Sequence, residues 1–168
     1  ANNVKEIFVV FAKCPDIERV VKGNLEKNPD DIQVLKTANR MLSGQDCTDG
    51  ELFETVAVKL HTVEPSHESA YSIGVMKLKR KKYSEAIKYF DEAIKLCEEC
   101  EQITDYYLGA AQASLKLGGT SSANNYARKA LAKKPSEGKA YLVIGDAISM
   151  SSKSCGDNEF EQKAVHWL

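Results

Sequence analysis

The sequence has little of what marks several large classes of protein. Four prolines and ten glycines among 168 residues are too few for a collagen-like or low-complexity chain. The longest apolar runs, such as residues 7–12, fall far short of the ~20 residues that cross a bilayer. Basic and acidic side chains number 23 and 24, so the surface as a whole is not built to hold nucleic acid. These shortages predict a globular protein without a membrane-spanning segment.

Cysteine is also scarce, and its number is odd. Five cysteines do not suffice for a fold built on disulfides, and 168 residues can bury a core without them. A bridge between Cys14 and Cys47 is possible, but nothing else in the sequence supports it. The first thirty residues show no signal peptide, because a basic segment, an apolar segment and a cleavage site are all missing. The chain starts at Ala1, so processing from a longer gene product stays open.

The prolines that are present mark an internal repeat. Pro29 and Pro65 are 36 residues apart, and Pro135 follows 70 residues later, which is two steps of 35. An aliphatic residue followed by glycine recurs at the same interval, at 73–74, 108–109 and 144–145. A period of 35 to 36 residues is typical of stacked helical repeats, in which each unit is one pair of secondary-structure elements.

The apolar pattern within each period is helical. Between Tyr83 and Cys97 the apolar residues recur at spacings of three and four, as on one face of an α-helix. Breaks near glycines and prolines divide each period into two helices. Residues 4–11 also fit the helical template. The pattern therefore predicts helices near 4–11, 16–27, 31–42, 49–62, 67–80, 83–98, 101–116, 120–133 and 137–150.

Residues 67–100 resemble a tetratricopeptide repeat. Gly74, Ala86, Phe90 and Ala93 stand where that family has a small, a small, an aromatic and a small residue. Small residues at these positions let helices approach closely, and Phe90 is expected to fill the gap between helix pairs. The same role is expected of Gly109 and Gly145.

The resemblance extends over most of the chain with some departures. In 101–135 the small residues and Pro135 fit, but the turn at 118–122 is about two residues longer than in the family. Before Pro65, Asn39 replaces the glycine and Phe53 the alanine. The resemblance implies an all-α fold, a right-handed superhelical stack of antiparallel helix pairs. It implies one domain over 1–168, with approximate repeats 1–29, 30–65, 66–100, 101–135 and an incomplete 136–168.

Catalytic chemistry is not visible in the sequence. It contains no H-E-x-x-H, no G-x-S-x-G, no P-loop and no G-x-G-x-x-G. His61, His67 and His166 lie in different repeats, where each is expected to be a packed or surface residue. The protein is therefore expected to be no enzyme and to need no cofactor.

The segment Cys97-Glu98-Glu99-Cys100 has the spacing of zinc and redox sites. Zinc needs about four ligands, and no second C-x-x-C or pair of histidines supplies the other two. Redox pairs usually begin a helix, whereas these cysteines close one among carboxylates that disfavour the thiolate. Cys97 is expected in the core and Cys100 near a turn, with no metal.

One basic run, at residues 77–82, could suggest a nucleic-acid site. Such a site would need further basic residues and aromatics on the same face, and only Tyr83 follows. A run of this kind at the end of a helix is more often solvated, where it complements the helix dipole. The partners expected are therefore proteins or peptides and not nucleic acid.

The resemblance implies that the first helix of each pair lines a concave binding face. Tyrosines suit such a face because they combine rigid apolar area with one polar end. Tyr71 and Tyr106 could equally be packing residues between repeats. The lysine–asparagine–arginine carboxylate clamp of chaperone-binding members is incomplete here. The candidate partner-binding residues are Lys36, Arg40, Tyr71, Val75, Leu78, Tyr106, Tyr107, Ala110, Leu142 and Asp146.

A second interpretation is that the chain is a structural or assembly segment of a larger protein. Phe160, Ala164, Trp167 and Leu168 form an apolar stripe that ends without a polar cap. This stripe could self-associate, or it could fold back on Tyr141, Ile144 and Ile148. Residues 160–168 are similar to exported bacterial tetratricopeptide-repeat proteins, which implies a cell-envelope location, with the cytoplasm as the alternative.

Overall fold

A computed structural model describes residues 13–45, 47–97 and 99–152, and these form α-helices and no strand. The all-α prediction is therefore confirmed over the described residues. The predicted helix at 4–11, Cys155 and the stripe from Phe160 to Leu168 lie outside them. The helices are α1 Cys14–Lys27, α2 Ile32–Gly44, α3 Glu51–Val63, α4 His67–Lys79, α5 Tyr83–Leu96, α6 Ile103–Lys116, α7 Thr120–Lys133 and α8 Gly138–Ser152.

Local signals explain where these helices begin and end. The carboxylate of Asp31 accepts hydrogen bonds from the amides of Gln33 (2.8 Å) and Val34 (3.1 Å), so it caps the first turn of α2. Pro15 stands in the first turn of α1, where its missing amide proton costs nothing. Gly118, with φ of 89°, takes the left-handed conformation that ends α6. The predicted helix boundaries agree with the structure within a few residues.

The chain divides into two compact units, with the boundary between Ser69 and Ala70 inside α4. In unit 1, residues 1–69, α2 contacts α1 on one side and α3 on the other. In unit 2, residues 70–168, α6 contacts α5, α7 and α8, and α7 also contacts α8. Within each unit, the helices named here pack on their neighbours in the chain, as expected of a repeat fold.

Phe90 fills the space between Gly74 and Gly109 in unit 2, and we call its ring the aromatic wedge. Its ring is fully buried, and a Cβ atom added to Gly74 would lie 2.8 Å from ring carbons Cδ1 and Cε1. A Cβ atom added to Gly109 would lie 2.6 Å from Cε1. The expectation that these two glycines admit Phe90 is confirmed. At Gly145 the expectation is not met, because no described residue lies within 4 Å of such a Cβ atom.

The rest of unit 2 packs through small side chains. A buried cluster joins α6, α7 and α8, and its members are Leu108, Ala111, Ala123, Ala127, Ala130, Ala140, Val143 and Ala147. Because six of these eight residues are alanine, the helix backbones can approach closely and little side-chain entropy is lost on burial.

Two disulfides are formed among the described residues. Cys14 and Cys47 are bonded, with Cα atoms 5.5 Å apart, which joins the start of α1 to the loop between α2 and α3. The sequence had suggested this bridge as a possibility, without further support. Cys97 and Cys100 are also bonded, within the loop between α5 and α6. As predicted, Cys97 is buried in the core and Cys100 lies near a turn.

Candidate interaction surface

The predicted site residues of unit 1 are polar and accessible. The ammonium group of Lys36 on α2 donates a hydrogen bond to Glu64 Oε1 at 2.9 Å and lies 2.6 Å from Oε2. Arg40, one turn further along α2, is exposed. An exposed ion pair of this kind contributes little to stability, so Lys36 can exchange Glu64 for another carboxylate at small cost.

The tyrosines of unit 2 pack against each other. The ring centroids of Tyr71 and Tyr106 are 4.8 Å apart, and those of Tyr71 and Phe90 are 5.7 Å apart. Tyr106 is only 1% exposed, while Tyr71 is partly buried. Burial raises the pKa of Tyr71, and the charge of Asp105 raises it further. The position of Tyr106 favours packing between repeats over partner contact.

The other predicted residues on α4 and α6 fill the space between these helices. Val75 and Leu78 on α4 pack, partly buried, against a cluster that includes Phe90, Ala110 and Ala113. Ala110 is completely buried. The inner surface between α4 and α6 is thus occupied by the chain's own side chains.

Tyr107 faces α7. The ammonium group of Lys129 lies 5.9 Å from the ring centroid of Tyr107 and 5.9 Å from that of Tyr126, within range of cation–π attraction. The hydroxyl of Tyr126 donates to Asp91 Oδ1 at 2.7 Å. Burial, together with this hydrogen bond and the charge of Asp91, raises the pKa of Tyr126 to about 12. These contacts hold α5, α6 and α7 together at their polar edge.

The predicted residues on α8 are exposed. Leu142 is 69% exposed although it stands 36 residues after the buried Tyr106, at the equivalent place in the repeat. Asp146, one turn later, is also exposed. Most residues that the helical periodicity places beside them are also exposed, with Lys139 at the edge of the set, whereas Ser149 is partly buried. We call this set the α8 face, and it comprises Tyr141, Leu142, Gly145, Asp146, Ile148 and Met150.

The α8 face is broad and largely apolar. At 100° per residue its members span roughly 200° of the helix circumference. The remaining sector, with Ala140, Val143 and Ala147, is buried against α6 and α7. Four of the six residues of the face are large and apolar. The sequence singled out only Leu142 and Asp146; the periodicity of α8 could have added Met150, whereas Tyr141 and Ile148 were expected to be covered.

One lysine of the basic run is buried and pairs with an exposed carboxylate. Lys77 is only 7% exposed and forms a salt bridge with Glu85. The hydrogen bond from Lys77 is the main reason why the pKa of Glu85 is lowered. Lys77 therefore joins α4 to α5 and is not part of the solvated helix end that the sequence suggested; Lys79, Lys81 and Lys82 are exposed.

Neither a metal site nor a membrane span is found among the described residues. No three histidine, cysteine or acidic side chains in 13–45, 47–97 and 99–152 are grouped so that they could hold a metal ion. None of the described helices has the length and apolar character needed to span a bilayer.

The glycine contacts, the aromatic wedge and the packing of successive helices define a tetratricopeptide-like all-α repeat fold. A solved structure with this fold is similar to the chain: the crystal structure of MamA, a tetratricopeptide-repeat protein. The TM-score is 0.64 at 20% sequence identity, and the match covers 88% of this chain and 81% of the MamA chain. No protein-family model matches the chain, and no curated protein sequence matches it. At this identity the likeness shows the fold alone.

Proposed function

We propose that this protein is a non-catalytic interaction module and that it binds a helical or extended segment of a partner protein. The exposure of the α8 face is the observation that supports the proposal most strongly. Apolar residues are common on surfaces, but four large ones on adjacent turns of one helix mark a contact surface. A partner segment that covers them gains the free energy of burying apolar area.

Equivalent positions within the chain indicate the chemistry of that partner. Tyr106 is covered by the aromatic ring of Tyr71, and Leu142 stands at the equivalent place in the next repeat. An aromatic or aliphatic side chain of the partner is therefore expected on Leu142. Asp146 on the same face would select a lysine or arginine beside it. Tyr71, Val75, Leu78, Tyr106 and Tyr107 pack within unit 2. Lys36 and Arg40 are separate polar candidates in unit 1.

The experiment that tests this proposal is a selection of displayed peptides about sixteen residues long, followed by mapping on the isotope-labelled protein. Selected peptides should shift the amide resonances of residues 141–150. Leu142→Lys should weaken their binding by about 2 kcal/mol or more, as expected for a central apolar contact. Leu117→Lys is the matched control, because Leu117 is an exposed leucine outside the face, at the end of α6. Failure to select any peptide, or shifts confined to other helices, would reject the α8 face.

A second candidate function is assembly within a larger envelope-associated protein. The same α8 face is where a further repeat would stack, and the two disulfides suit an oxidising compartment outside the cytoplasm. A longer chain that continues past residue 168 discriminates between the two candidates. If the added residues protect the α8 amides from hydrogen exchange and abolish peptide binding, the face serves assembly.

A further inference from the structure

The loop between α5 and α6 holds two sulfur atoms that the proposed interaction does not use. Cys97 directly follows the last residue of α5, and Cys100 lies three residues before the start of α6. The disulfide between them therefore closes a ring of only four residues. A bond that closes so short a ring removes less conformational freedom from the unfolded chain than a long-range bridge does, so it contributes less to stability than the Cys14–Cys47 bond.

The two sulfurs differ in access. Cys97 is 3% exposed and belongs to a buried cluster with Ala70, Ala93 and Tyr106. Cys100 packs at the edge of this cluster and is partly exposed. An external thiolate must approach a disulfide sulfur along the direction of the bond that breaks. Because Cys100 is the more exposed of the two residues, attack is expected at Cys100 Sγ.

The sulfur that leaves, Cys97 Sγ, accepts a hydrogen bond in the structure. The backbone amide of Cys100 donates a hydrogen bond to Cys97 Sγ, with a donor–acceptor distance of 3.3 Å. A hydrogen-bond donor directed at sulfur favours the thiolate over the thiol. Attack on Cys100 Sγ therefore releases Cys97 Sγ, which already accepts a hydrogen bond from the Cys100 amide.

The charged residues around the loop between α5 and α6 favour incoming thiols according to the charge that the thiol carries. Glu99 and Glu101 are exposed, and the basic residue of the same stretch, 95–105, is Lys95. Asp105 is exposed as well, but it interacts electrostatically with Lys134. Field lines from these carboxylates repel an approaching anion and attract a cation over a distance of about one Debye length, ~10 Å at 0.1 M salt.

We propose that Cys97 and Cys100 form a reversible thiol–disulfide exchange site that reacts with cationic and neutral thiols in preference to anionic ones. In the first step a thiolate forms a mixed disulfide with Cys100 Sγ, and Cys97 leaves as a thiolate that takes up a proton. A second thiolate then attacks the sulfur of the bound thiol and releases Cys100 as a thiolate, which is also protonated. The protein disulfide is reduced, and two small thiols are oxidised to one disulfide.

This site is a target of exchange and not an oxidoreductase centre. The acidic loop that repels anionic thiols also disfavours the thiolates of the reduced pair, which lowers the fraction of these thiols that can attack another disulfide. The inference goes beyond the proposed interaction function and concerns residues outside the α8 face.

The test measures how fast three small thiols reduce this disulfide in the folded protein. The protein carries Cys155→Ser, so that no further thiol competes. Cysteamine, 2-mercaptoethanol and 2-mercaptoethanesulfonate are compared at equal thiolate concentration. Differential alkylation with mass spectrometry follows the 97–100 bond, and each rate is divided by that thiol's rate with a small neutral disulfide.

At low salt the normalised rate with cysteamine should exceed that with mercaptoethanesulfonate about tenfold, since the two thiolates differ by two charges. The ratio should approach one in ~1 M salt, where the Debye length is ~3 Å. Glu99→Gln combined with Glu101→Gln should reduce the ratio at low salt. Equal rates at low salt, a bond that resists all three thiols, or free thiols at both positions in the air-oxidised protein would overturn the proposal.

A second pair of variants tests which sulfur is attacked. In Cys97→Ser the remaining Cys100 should react quickly with the disulfide cystamine, because it is partly exposed. In Cys100→Ser the remaining Cys97 should react at least ten times more slowly while the protein stays folded by circular dichroism. The reverse order would contradict attack at Cys100.

Discussion

At the scale of single residues, Phe90 occupies the space that two glycines on different helices leave open. Its ring lies so close to Gly74 and Gly109 that a methyl group at either position would collide with it. The ring cannot move aside easily, because both glycines confine it and it is fully buried. Replacement of the glycines therefore tests the wedge more selectively than removal of the ring.

We expect Gly109→Ala to lower the free energy of unfolding by ~1–3 kcal/mol, because the added methyl overpacks the contact with Phe90. Gly145→Ala is the matched control, since this glycine also lies within a helix but has no described residue within 4 Å of the added atom. The free energy of unfolding of the control should rise by up to ~1 kcal/mol, because alanine has the higher helix propensity. Urea unfolding measures the change in both variants. Equal changes in the two variants would show that Phe90 does not confine Gly109.

The raised pKa of Tyr126 predicts that the folded protein loses stability in alkali. Its pKa in the folded protein is raised to about 12, above the ~10 of an unfolded chain. The folded state thus favours the protonated phenol. Its contribution to the free energy of unfolding is complete below pH ~10 and is lost as the pH rises toward 12. Tyr126→Phe should weaken this dependence and remove one late-titrating phenolate from the ultraviolet spectrum.

The control for this titration is Tyr141→Phe, which removes a hydroxyl that donates to the Pro135 carbonyl instead of a carboxylate. It should leave the alkaline loss of stability in place. A stability profile between pH 9 and 12 that is identical in wild type and Tyr126→Phe would contradict the role of the Asp91 hydrogen bond.

At the scale of elements, the start of α2 depends on one carboxylate. Asp31→Ala removes the acceptor for two backbone amides of the first turn and should cost ~1 kcal/mol. The neighbouring Asp30→Ala breaks only an exposed ion pair with Lys59, at 3.1 Å, and should cost at most ~0.5 kcal/mol. Chemical denaturation of both variants checks the difference. A larger loss from Asp30→Ala would mean that the cap is misassigned.

The helices were predictable from the sequence because their signals are local. The spacing of apolar residues around Phe90 and the glycine at 118 fix the type and the limits of α5 and α6 without reference to other parts of the chain. The residues that face a partner were less predictable. Whether Tyr106 is buried and Leu142 exposed depends on which neighbouring helix covers each position, and the two residues occupy equivalent places in the repeat.

The disulfides were also beyond sequence reasoning. Cys14 and Cys47 are 33 residues apart, and only the packing of α1 beside α2 brings their Cα atoms to 5.5 Å. The pair at 97 and 100 fitted several interpretations, because a C-x-x-C spacing alone does not distinguish a core residue near a turn from a bonded pair.

At the scale of the whole molecule, covalent links contribute unequally to stability. The chain-entropy relation assigns about 4 kcal/mol to the bridge between Cys14 and Cys47, and about 2 kcal/mol to the short ring at 97–100. Replacing Cys14 and Cys47 with serine should therefore lower the free energy of unfolding more than the same replacement of Cys97 and Cys100. Urea titration of the two double variants measures this order, and the opposite order would contradict it.

We propose that the protein binds its partner through the α8 face. Site-specific photo-crosslinking in extracts of the source cells tests this binding, with benzoylphenylalanine placed either at Leu142 or at Leu117. Both leucines are more than half exposed, at 69% and 54%, but only Leu142 belongs to the face. We predict a discrete crosslinked protein from position 142 that is absent from position 117. Crosslinks that are equal at the two positions, or that occur at 117 and not at 142, would contradict the claim.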